Sequence, residues 1–410
     1  MRRAKLLFID PKNNHNKFYD IDELDNGNFK VTYGRVGAKG ATVEYPMCDW
    51  NKKYREKTRK GYTDITEDYK VVSPKITNNS IPGLESLKEI IRKQLELLHK
   101  YAKETFDKNY NVEITDVTES LVNKAQLLID TINEKLQIGA DLNELNDLLI
   151  KLFNVIPRKM KSVKDSLFLH EITTQDILNQ ENNRMTSEQD LLDVIKGQLK
   201  KQDVDIVDTI TEQSSAISYL DTLGISFDEV DIEEEKMLKT LMGDSKSKYI
   251  KAFKVTNYKT QKLFDNEINL ASNKTTKLLF HGSRSSNWLN IIKQGLILHP
   301  NAIRTGSLFN NGIYFADNAD KSLGYISGGR WNSTKGDNDN WLAIYDVHFG
   351  NAAKYTNLPN KNVKLDKWIP DNGYDSYFAD KHVEKRYNLY RNEYIVYKES
   401  KCTIKYLIHI

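Results

Sequence analysis

The sequence predicts an α+β protein built from three regions of different texture. Residues 1–75 alternate apolar and polar side chains, as half-buried strands do, and residues 76–244 space apolar side chains by three and four, as amphipathic helices do. Residues 245–410 return to short apolar segments separated by Gly, Asn and Ser, a mixture typical of an α+β domain. A chain of 410 residues is also long enough for two or three domains.

Composition excludes several classes of protein. Hydrophobic residues make up 39% and charged residues 29%, and no apolar run approaches the roughly 18–20 residues that span a bilayer. The apolar run near the N-terminus covers only Leu6–Ile9, so we expect no signal peptide. Cys48 and Cys402 are far apart, which excludes a disulfide framework or a cysteine-based zinc site within this chain. We therefore expect an intracellular protein without a membrane partner and without a metal.

The first region predicts a hairpin followed by a helix. Phe29–Tyr33 alternates with a period of two, and the turn signal Asp25–Asn28 before it predicts pairing with Phe18–Leu24. Trp50–Lys60 follows as a predicted helix, and Ser73-Pro74 as the start of a linker.

The second region predicts a helical bundle. Two apolar stripes run through Leu84–Leu98 and Leu121–Leu136, and a third lies in Asp190–Leu199. Asp141 predicts a capped helix start, and the helix is expected to end at Ile156-Pro157. The region closes with six acids in the eight residues 228–235, which we interpret as solvated surface.

The third region predicts strands and short helices. Lys277–Gly282, Gly312–Ala316 and Glu393–Tyr397 are apolar enough to form strands, and Asn287–Gly295 and Ala319–Tyr325 are predicted as helices.

Three residues of this region are candidates for chemistry. His281 stands where an apolar strand stops, beside a glycine that permits close approach of a ligand, although these residues alone favour a structural histidine. Glu393 begins an apolar strand, where an ionised carboxylate is costly unless it is paired or catalytic, and both interpretations remain open. Tyr314 on its own is typical of a core aromatic residue.

Four segments of the region follow one another in an informative order: Leu279-Phe280-His281-Gly282-Ser283-Arg284, Gly312-Ile313-Tyr314-Phe315-Ala316-Asp317, Lys321-Ser322-Leu323-Gly324-Tyr325, and Tyr390-Arg391-Asn392-Glu393-Tyr394-Ile395-Val396-Tyr397. Together they resemble the catalytic domain of poly(ADP-ribose) polymerases, whose signature is a His-Tyr-Glu triad. The resemblance implies an ADP-ribosyltransferase that uses NAD⁺ as its substrate and needs no metal. The triad would be His281, Tyr314 and Glu393.

The resemblance also implies how nicotinamide would be held. Gly282 would bind its carboxamide through the backbone N–H and C=O, and Ser322 would add its hydroxyl. Tyr325 would stack on the nicotinamide ring, and Tyr314 would close the other side.

The remaining roles follow in the same way. His281 would bond a ribose hydroxyl of NAD⁺, and Ser283 and Asn287 would face the adenosine side. Lys321 would lie near the acceptor. Glu393 would stabilise the positive charge that develops on the ribose and then help to deprotonate the incoming nucleophile.

The N-terminal region carries a second resemblance. Tyr33-Gly34-Arg35-Val36-Gly37 is similar to the Trp-Gly-Arg motif of the WGR domain, which accompanies the catalytic domain in polymerases that respond to DNA breaks. Here Tyr33 replaces the tryptophan, which keeps a flat ring but loses area and the indole N–H. The stretch 51–60 that follows is basic and holds Lys52, Lys53, Arg55, Lys57, Arg59 and Lys60. It is either a phosphate-binding surface, in which Lys52, Lys53 and Arg55 join Tyr33 and Arg35, or a solvated helix face.

The middle region resembles the helical regulatory domain of the same polymerases, most clearly in Leu149–Pro157. In such relatives the bundle shields the NAD⁺ site until DNA binding loosens it. Here it is either a shield of that kind or a plain scaffold.

These resemblances imply three domains: a WGR-like DNA-binding domain at 1–75, a helical regulatory domain at 76–244 and a catalytic domain at 245–410. The expected function is a poly(ADP-ribose) polymerase that is activated by DNA strand breaks, modifies proteins including itself, and is a monomer when free. A mono-ADP-ribosyltransferase and a DNA-binding, NAD⁺-sensing module without turnover remain alternatives. The expected location is the nucleus if the organism is a eukaryote, and the cytoplasm or nucleoid if it is a bacterium.

Overall fold

The computed structural model describes residues 2–69, 84–199, 219–299, 308–331, 336–360 and 362–410. The described chain divides into two compact units. One holds residues 2–69 and 103–199, and the other holds 84–102 together with the described residues from 219 to 410.

The first unit contains an antiparallel five-stranded sheet in the order β4-β3-β2-β1-β5. Its elements are β1 (Arg3–Asp10), β2 (His15–Glu23), β3 (Asn28–Arg35), β4 (Ala41–Pro46), α1 (Trp50–Arg59) and β5 (Thr63–Asp64). The predicted hairpin is confirmed, because β2 pairs antiparallel with β3 and places Tyr19 opposite Tyr33. Gly27 takes a φ of +79° in the connecting turn, a conformation that favours glycine. The helix predicted at Trp50–Lys60 is also confirmed, and its buried Trp50 packs against Phe29.

The helices of the middle region are α2 (Glu89–Asn109), α3 (Glu119–Gln137), α4 (Leu142–Val155) and α5 (Gln175–Gln198). The carboxylate of Asp141 caps α4 by accepting from the N–H groups of Asn143 and Glu144, as predicted. The first predicted stripe was wrong at its start, because Leu84 and Leu87 lie in a turn before α2. Ser73-Pro74 and the predicted boundary at 75/76 lie outside the described residues.

The second unit continues with α6 (Tyr219–Leu223), β6 (Ile225–Glu229), α7 (Ile232–Met242), β7 (Lys251–Asn257), α8 (Tyr258–Leu270), β8 (Thr276–Gly282), α9 (Trp288–Gln294), β9 (Ile313–Phe315), α10 (Ala319–Leu323), β10 (Trp341–His348), β11 (Ala352–Ala353), α11 (Leu365–Asp371), β12 (Ser376–Ala379), β13 (Glu393–Val396) and β14 (Cys402–His409). The strands form two sheets, in the orders β6-β7-β14-β10-β8 and β11-β12-β13-β9. A bridge between Phe280 and Ala316 joins the sheets where β8 and β9 end. The ends of β8, β9 and β13 carry the predicted triad, so this junction positions the candidate site.

The acidic run at 228–235 crosses from β6 into α7. Asp228 and Asp231 are exposed, as predicted for solvated surface, and Glu234 is half-buried. Asp231 and Glu234 form a capping box at the start of α7. Strand β6 pairs with β7, so the sheet begins before residue 245, and the predicted domain boundaries remain predictions.

None of the α-helices in the described residues combines the length and apolar character that crossing a membrane requires.

Candidate active site

The end of strand β8 supplies His281 and Gly282. A Cβ on Gly282 would overlap the carbonyl oxygen of Ser322, so β8 and α10 meet here at a distance that only glycine permits. The Nδ1 atom of His281 lies 3.0 Å from the Tyr314 carbonyl oxygen. A carbonyl only accepts, so Nδ1 donates, and in the neutral ring Nε2 is the acceptor. The histidine ring is therefore fixed in orientation and in tautomer.

Tyr314 is held equally firmly on strand β9. Its main chain pairs with Ile395 of β13, and its hydroxyl donates to the Asn310 carbonyl oxygen at 2.7 Å and accepts from the Phe309 N–H at 2.9 Å. The ring is thus anchored at both ends beside His281.

Glu393 opens strand β13 opposite Ala379 of β12. Its carboxylate forms an ion pair with the Lys321 ammonium, and the two side chains are only 5% and 8% exposed. Burial raises the pKa of Glu393 above its ordinary value of 4.5, and the charge of Lys321 opposes that rise. Of the two interpretations of Glu393, the paired carboxylate is present, and it lies at the predicted triad position.

Helix α10 carries Lys321 and Ser322, which are both buried. The helix begins at Asn318, whose side chain accepts from the Asp320 N–H, and Gly324 follows its last residue. Tyr325 comes next and is 40% exposed. Burial nonetheless raises the pKa of Tyr325 to about 12, with the negative charge of Glu393 acting in the same direction. The short helix thus places three of the predicted residues between β8 and β13.

Ser283 and Asn287, the residues predicted to face the adenosine side, are also in contact. The side-chain amide of Asn287 donates to Ser283 Oγ at 3.1 Å. Between them, Ser285 is buried, and its hydroxyl donates to the Asp339 carbonyl oxygen at 2.9 Å. The structure therefore brings all the predicted active-site residues into one region, through contacts of His281 with Tyr314, Gly282 with Ser322, Lys321 with Glu393, and Ser283 with Asn287.

Sequence reasoning missed Trp331. Its ring centroid is 5.1 Å from that of Tyr325, and the Lys321 ammonium is 5.7 Å from the Trp331 ring centroid. The available signal was a tryptophan directly after Gly328-Gly329-Arg330, because a large aromatic residue in a glycine-rich polar loop is out of place unless it packs on something.

The predicted DNA-binding residues fall into two groups. Tyr33 is 41% exposed, and it lies opposite Tyr19, whose ring carries the Lys57 ammonium of α1 at 4.4 Å. Tyr33 and α1 therefore share one face of the sheet. On α1, Lys52 and Arg55 are exposed, and Lys53 is half-buried with its ammonium 4.1 Å from the ring centroid of Tyr45.

Arg35 is placed differently. Its guanidinium donates to the carbonyl oxygens of Asn14, Met160 and Lys161 at 2.7, 3.0 and 2.9 Å. It therefore joins the sheet to the loop after α4.

Across the ranges that the structure describes, no three His, Cys, Asp or Glu side chains converge as the ligands of a metal ion would.

Comparison with known proteins matches both ends of the chain to families. Residues 228–410 match the poly(ADP-ribose) polymerase catalytic domain, and residues 2–69 match the WGR domain. A putative poly [ADP-ribose] polymerase-like protein, 100L of Invertebrate iridescent virus 6, is 34% identical over 169 residues, which cover 40% of this chain and 87% of the viral protein. A second protein of that virus, named uncharacterized protein 101L, is 32% identical over 198 residues, or 48% of this chain and 78% of the viral protein.

A relative from a plant extends the similarity to almost the whole chain. Poly [ADP-ribose] polymerase 2 of Arabidopsis thaliana is 26% identical over 473 aligned positions, which cover 97% of this chain and 71% of the plant protein. With a matching catalytic domain, a matching WGR domain and these relatives, the chain belongs to the poly(ADP-ribose) polymerase family and is an NAD⁺ ADP-ribosyltransferase.

Proposed function

We propose that this transferase builds ADP-ribose chains on protein acceptors, itself included, and that broken DNA ends activate it. The observation that carries the proposal is Glu393, a buried carboxylate paired with Lys321 at the start of β13. In the family that this chain resembles, a glutamate at this position goes with chain elongation. The fixed rings of His281 and Tyr314 beside it support the same role.

The donor site is proposed to hold NAD⁺ as its substrate. Gly282 would hold the carboxamide through its backbone N–H and C=O, and because it has no side chain the main chain of Ser322 lies directly against it. Tyr314 and Tyr325 would enclose the nicotinamide ring, and aromatic stacking with an amide clamp would orient the leaving group. Ser283 and Asn287 would face the adenosine portion.

Bond breakage between nicotinamide and ribose develops positive charge on the sugar, as in glycoside cleavage. The carboxylate of Glu393 would accept a hydrogen bond from a ribose hydroxyl, stabilise this charge and receive the proton of the incoming nucleophile. The charge of Lys321 opposes the rise that burial causes in the pKa of this carboxyl. His281, with its Nδ1 proton held by Tyr314, would present Nε2 to a ribose hydroxyl.

DNA recognition is assigned to the face shared by Tyr33 and α1. The exposed cations Lys52 and Arg55, with Lys53 beside them, fit phosphate, and the exposed ring of Tyr33 fits a sugar or base at a broken end. NAD⁺ and DNA are both available in a nucleus or a nucleoid, which is the location we propose.

Shielding by the helical region is supported by one contact inside the second unit. The hydroxyl of Tyr101 on α2 donates to the Asp339 carboxylate at 2.9 Å and accepts from the Asp339 N–H at 3.1 Å. The carbonyl of Asp339 in turn accepts from Ser285, two residues from Ser283. Movement of α2 would therefore reach Ser285 through these hydrogen bonds, and Ser285 lies between Ser283 and Asn287 in the chain.

The test is incubation of the purified protein with labelled NAD⁺, with and without 5′-phosphorylated nicked DNA, beside Glu393→Gln. We expect a high-mass smear that DNA stimulates and that Glu393→Gln abolishes or reduces to a single band. A single band from the unaltered protein would identify a mono-ADP-ribosyltransferase instead. No label and no loss of NAD⁺ in either condition would identify a binding module without turnover.

A further inference from the structure

Trp331 lies directly over the end of helix α10. The main-chain N–H of Trp331 donates to the Gly324 carbonyl oxygen at 2.8 Å, and a Cβ on Gly324 would overlap the indole ring. Gly329 permits the sharp return of the chain, because a Cβ there would lie 2.6 Å from the carbonyl oxygens of Leu323 and Gly324. The loop is therefore folded back so that the indole covers the backbone that carries Lys321.

The Lys321 ammonium has this ring on one side and a carboxylate on another. It lies 5.7 Å from the centroid of the Trp331 ring and forms the ion pair with Glu393. Tryptophan offers a cation the most favourable aromatic face, and the attraction strengthens when the cation is removed from water. Lys321 is removed from water, whereas Trp331 is 43% exposed, so the indole can limit the access of water to the ammonium.

We infer that Trp331 is a positioning residue for the transfer reaction: its indole holds Lys321 against Glu393. Trp331 need not touch the substrate for this role. The inference rests on the proposed catalytic role of Glu393, and Trp331 is not one of the residues for which the family resemblance implies a role.

The charged surroundings determine what loss of the ring would do. The Lys321 ammonium from α10 acts electrostatically on the Glu393 carboxyl, and Glu393 in turn adds to the rise that burial causes in the pKa of Tyr325 in the following loop. The neighbouring strands contribute no charge at this point, since β12 places Ala379 opposite Glu393 and β9 places Phe315 beside Tyr394. Lys321 is thus the cation that sets how readily Glu393 ionises.

Without the indole, the ammonium would become hydrated and withdraw from Glu393. The carboxylate would then be buried without its partner, and its pKa would rise further. The acid limb of the pH profile of kcat/KM reports groups of the free enzyme, so it would move to higher pH. A merely structural tryptophan would lower activity or stability without moving this limb.

The first measurement is the pH profile of kcat/KM for NAD⁺ consumption by the full chain, Trp331→Ala, Trp331→Phe and Arg330→Ala. We expect the acid limb of Trp331→Ala to rise by about 0.5–1 pH unit, and that of Trp331→Phe to stay near the original because phenylalanine keeps an aromatic face. Arg330→Ala is the matched control: Arg330 is exposed, adjacent in sequence and 5.8 Å from the same ring, but the inference gives it no contact with Lys321. The acid limb of Arg330→Ala should lie at the same pH as that of the unaltered protein.

The second measurement does not depend on turnover. An amine-reactive ester is added to each folded variant, and the labelling rate of Lys321 is read by peptide mass spectrometry. Labelling should be slow in the unaltered protein, in Trp331→Phe and in Arg330→Ala, and faster in Trp331→Ala. Equal labelling rates and an unmoved acid limb in Trp331→Ala would overturn the inference while leaving the proposed function intact. A protein that consumes no NAD⁺ would overturn the proposed function, and the labelling rates would still decide whether Trp331 holds Lys321. Melting curves of all variants establish that the comparison is between folded proteins.

Discussion

Lys321 of α10 and Glu393 of β13 form a buried ion pair across the active site although they are 72 residues apart in the sequence. Each charge is removed from water and depends on the other, because an unpaired buried charge is costly. The pair therefore links the ionisation of the proposed catalytic carboxylate to the position of one short helix.

Lys321→Met should make Glu393 harder to ionise. Burial already raises the pKa of Glu393, and loss of the cation removes what opposes that rise. The proposed mechanism needs the ionised carboxylate, so the acid limb of kcat/KM should move to higher pH and low-pH activity should fall most. Rates measured from about pH 5 to pH 8 would check this. An unmoved limb would mean that another group controls the acid side of the profile.

Gly282→Ala should disturb the donor site without unfolding the protein. The added methyl would overlap the Ser322 carbonyl oxygen, so α10 must shift and carry Lys321 and Ser322 with it. A displacement of about 1 Å in a positioned site costs on the order of 10²-fold in rate, and we expect a loss of kcat/KM of that size. Gly336→Ala is the control, since the nearest atoms to a Cβ there are 3.8 Å away. Similar losses in both variants would contradict the prediction.

Tyr101→Phe should raise NAD⁺ consumption in the absence of DNA. The change removes a hydroxyl that bonds Asp339 twice, and so weakens the connection from α2 to Ser285. Tyr258→Phe is the control, because it also removes one hydroxyl but from an exposed tyrosine on α8. Basal rates and DNA-stimulated rates should be compared for the three proteins. If Tyr101→Phe leaves the basal rate unchanged, this contact does not restrain the site.

Lys52→Gln combined with Arg55→Gln should weaken binding to 5′-phosphorylated nicked DNA and flatten its salt dependence. Each phosphate contact contributes about 0.9 to the slope of log affinity against log salt, so the slope should fall by roughly two. Lys151→Gln with Lys161→Gln removes two exposed cations from the helical part of the same unit and should leave the slope unchanged. Equal slopes for all three proteins would exclude α1 as the phosphate-binding face.

Arg35→Lys should affect stability more than DNA binding. A lysine keeps the charge but cannot donate to the carbonyl oxygens of Asn14, Met160 and Lys161 in the way the guanidinium does. We expect the free energy of unfolding to fall by about 1 kcal/mol, because hydrogen bonds from a charged donor are lost while water can replace that donor at the exposed carbonyls. Chemical denaturation would measure this loss, and weaker binding to nicked DNA at unchanged stability would restore the DNA role that the motif first implied.

The sequence predicts most of what depends on neighbouring residues. The hairpin that pairs Tyr19 with Tyr33, the cap at Asp141 and the strand that begins at Glu393 all follow from local patterns. It does not predict where α2 begins, because the stripe from Leu84 continues through a turn with the same apolar spacing.

Contacts between distant segments could not be predicted from local sequence patterns. Nothing in the pattern around Arg35 indicates that its partners are backbone carbonyls more than 120 residues away. Likewise the stacking of Trp331 near Tyr325 depends on how a glycine-rich loop folds back, which composition does not specify. Motif resemblance predicts the active-site residues, but only the fold shows which of them hold one another in place.

The position of strand β14 in its sheet has a consequence for the synthesis of this enzyme on the ribosome. It lies between β7 and β10 in the middle of its sheet, yet residues 402–409 are translated after every other strand described. While these residues are still inside the ribosome, β7 and β10 each present an open edge, which is a template for pairing with another chain. A premature stop before Cys402 should therefore yield an aggregating product rather than a weakened enzyme, and a nascent chain should be unable to modify anything until β14 has left the exit tunnel.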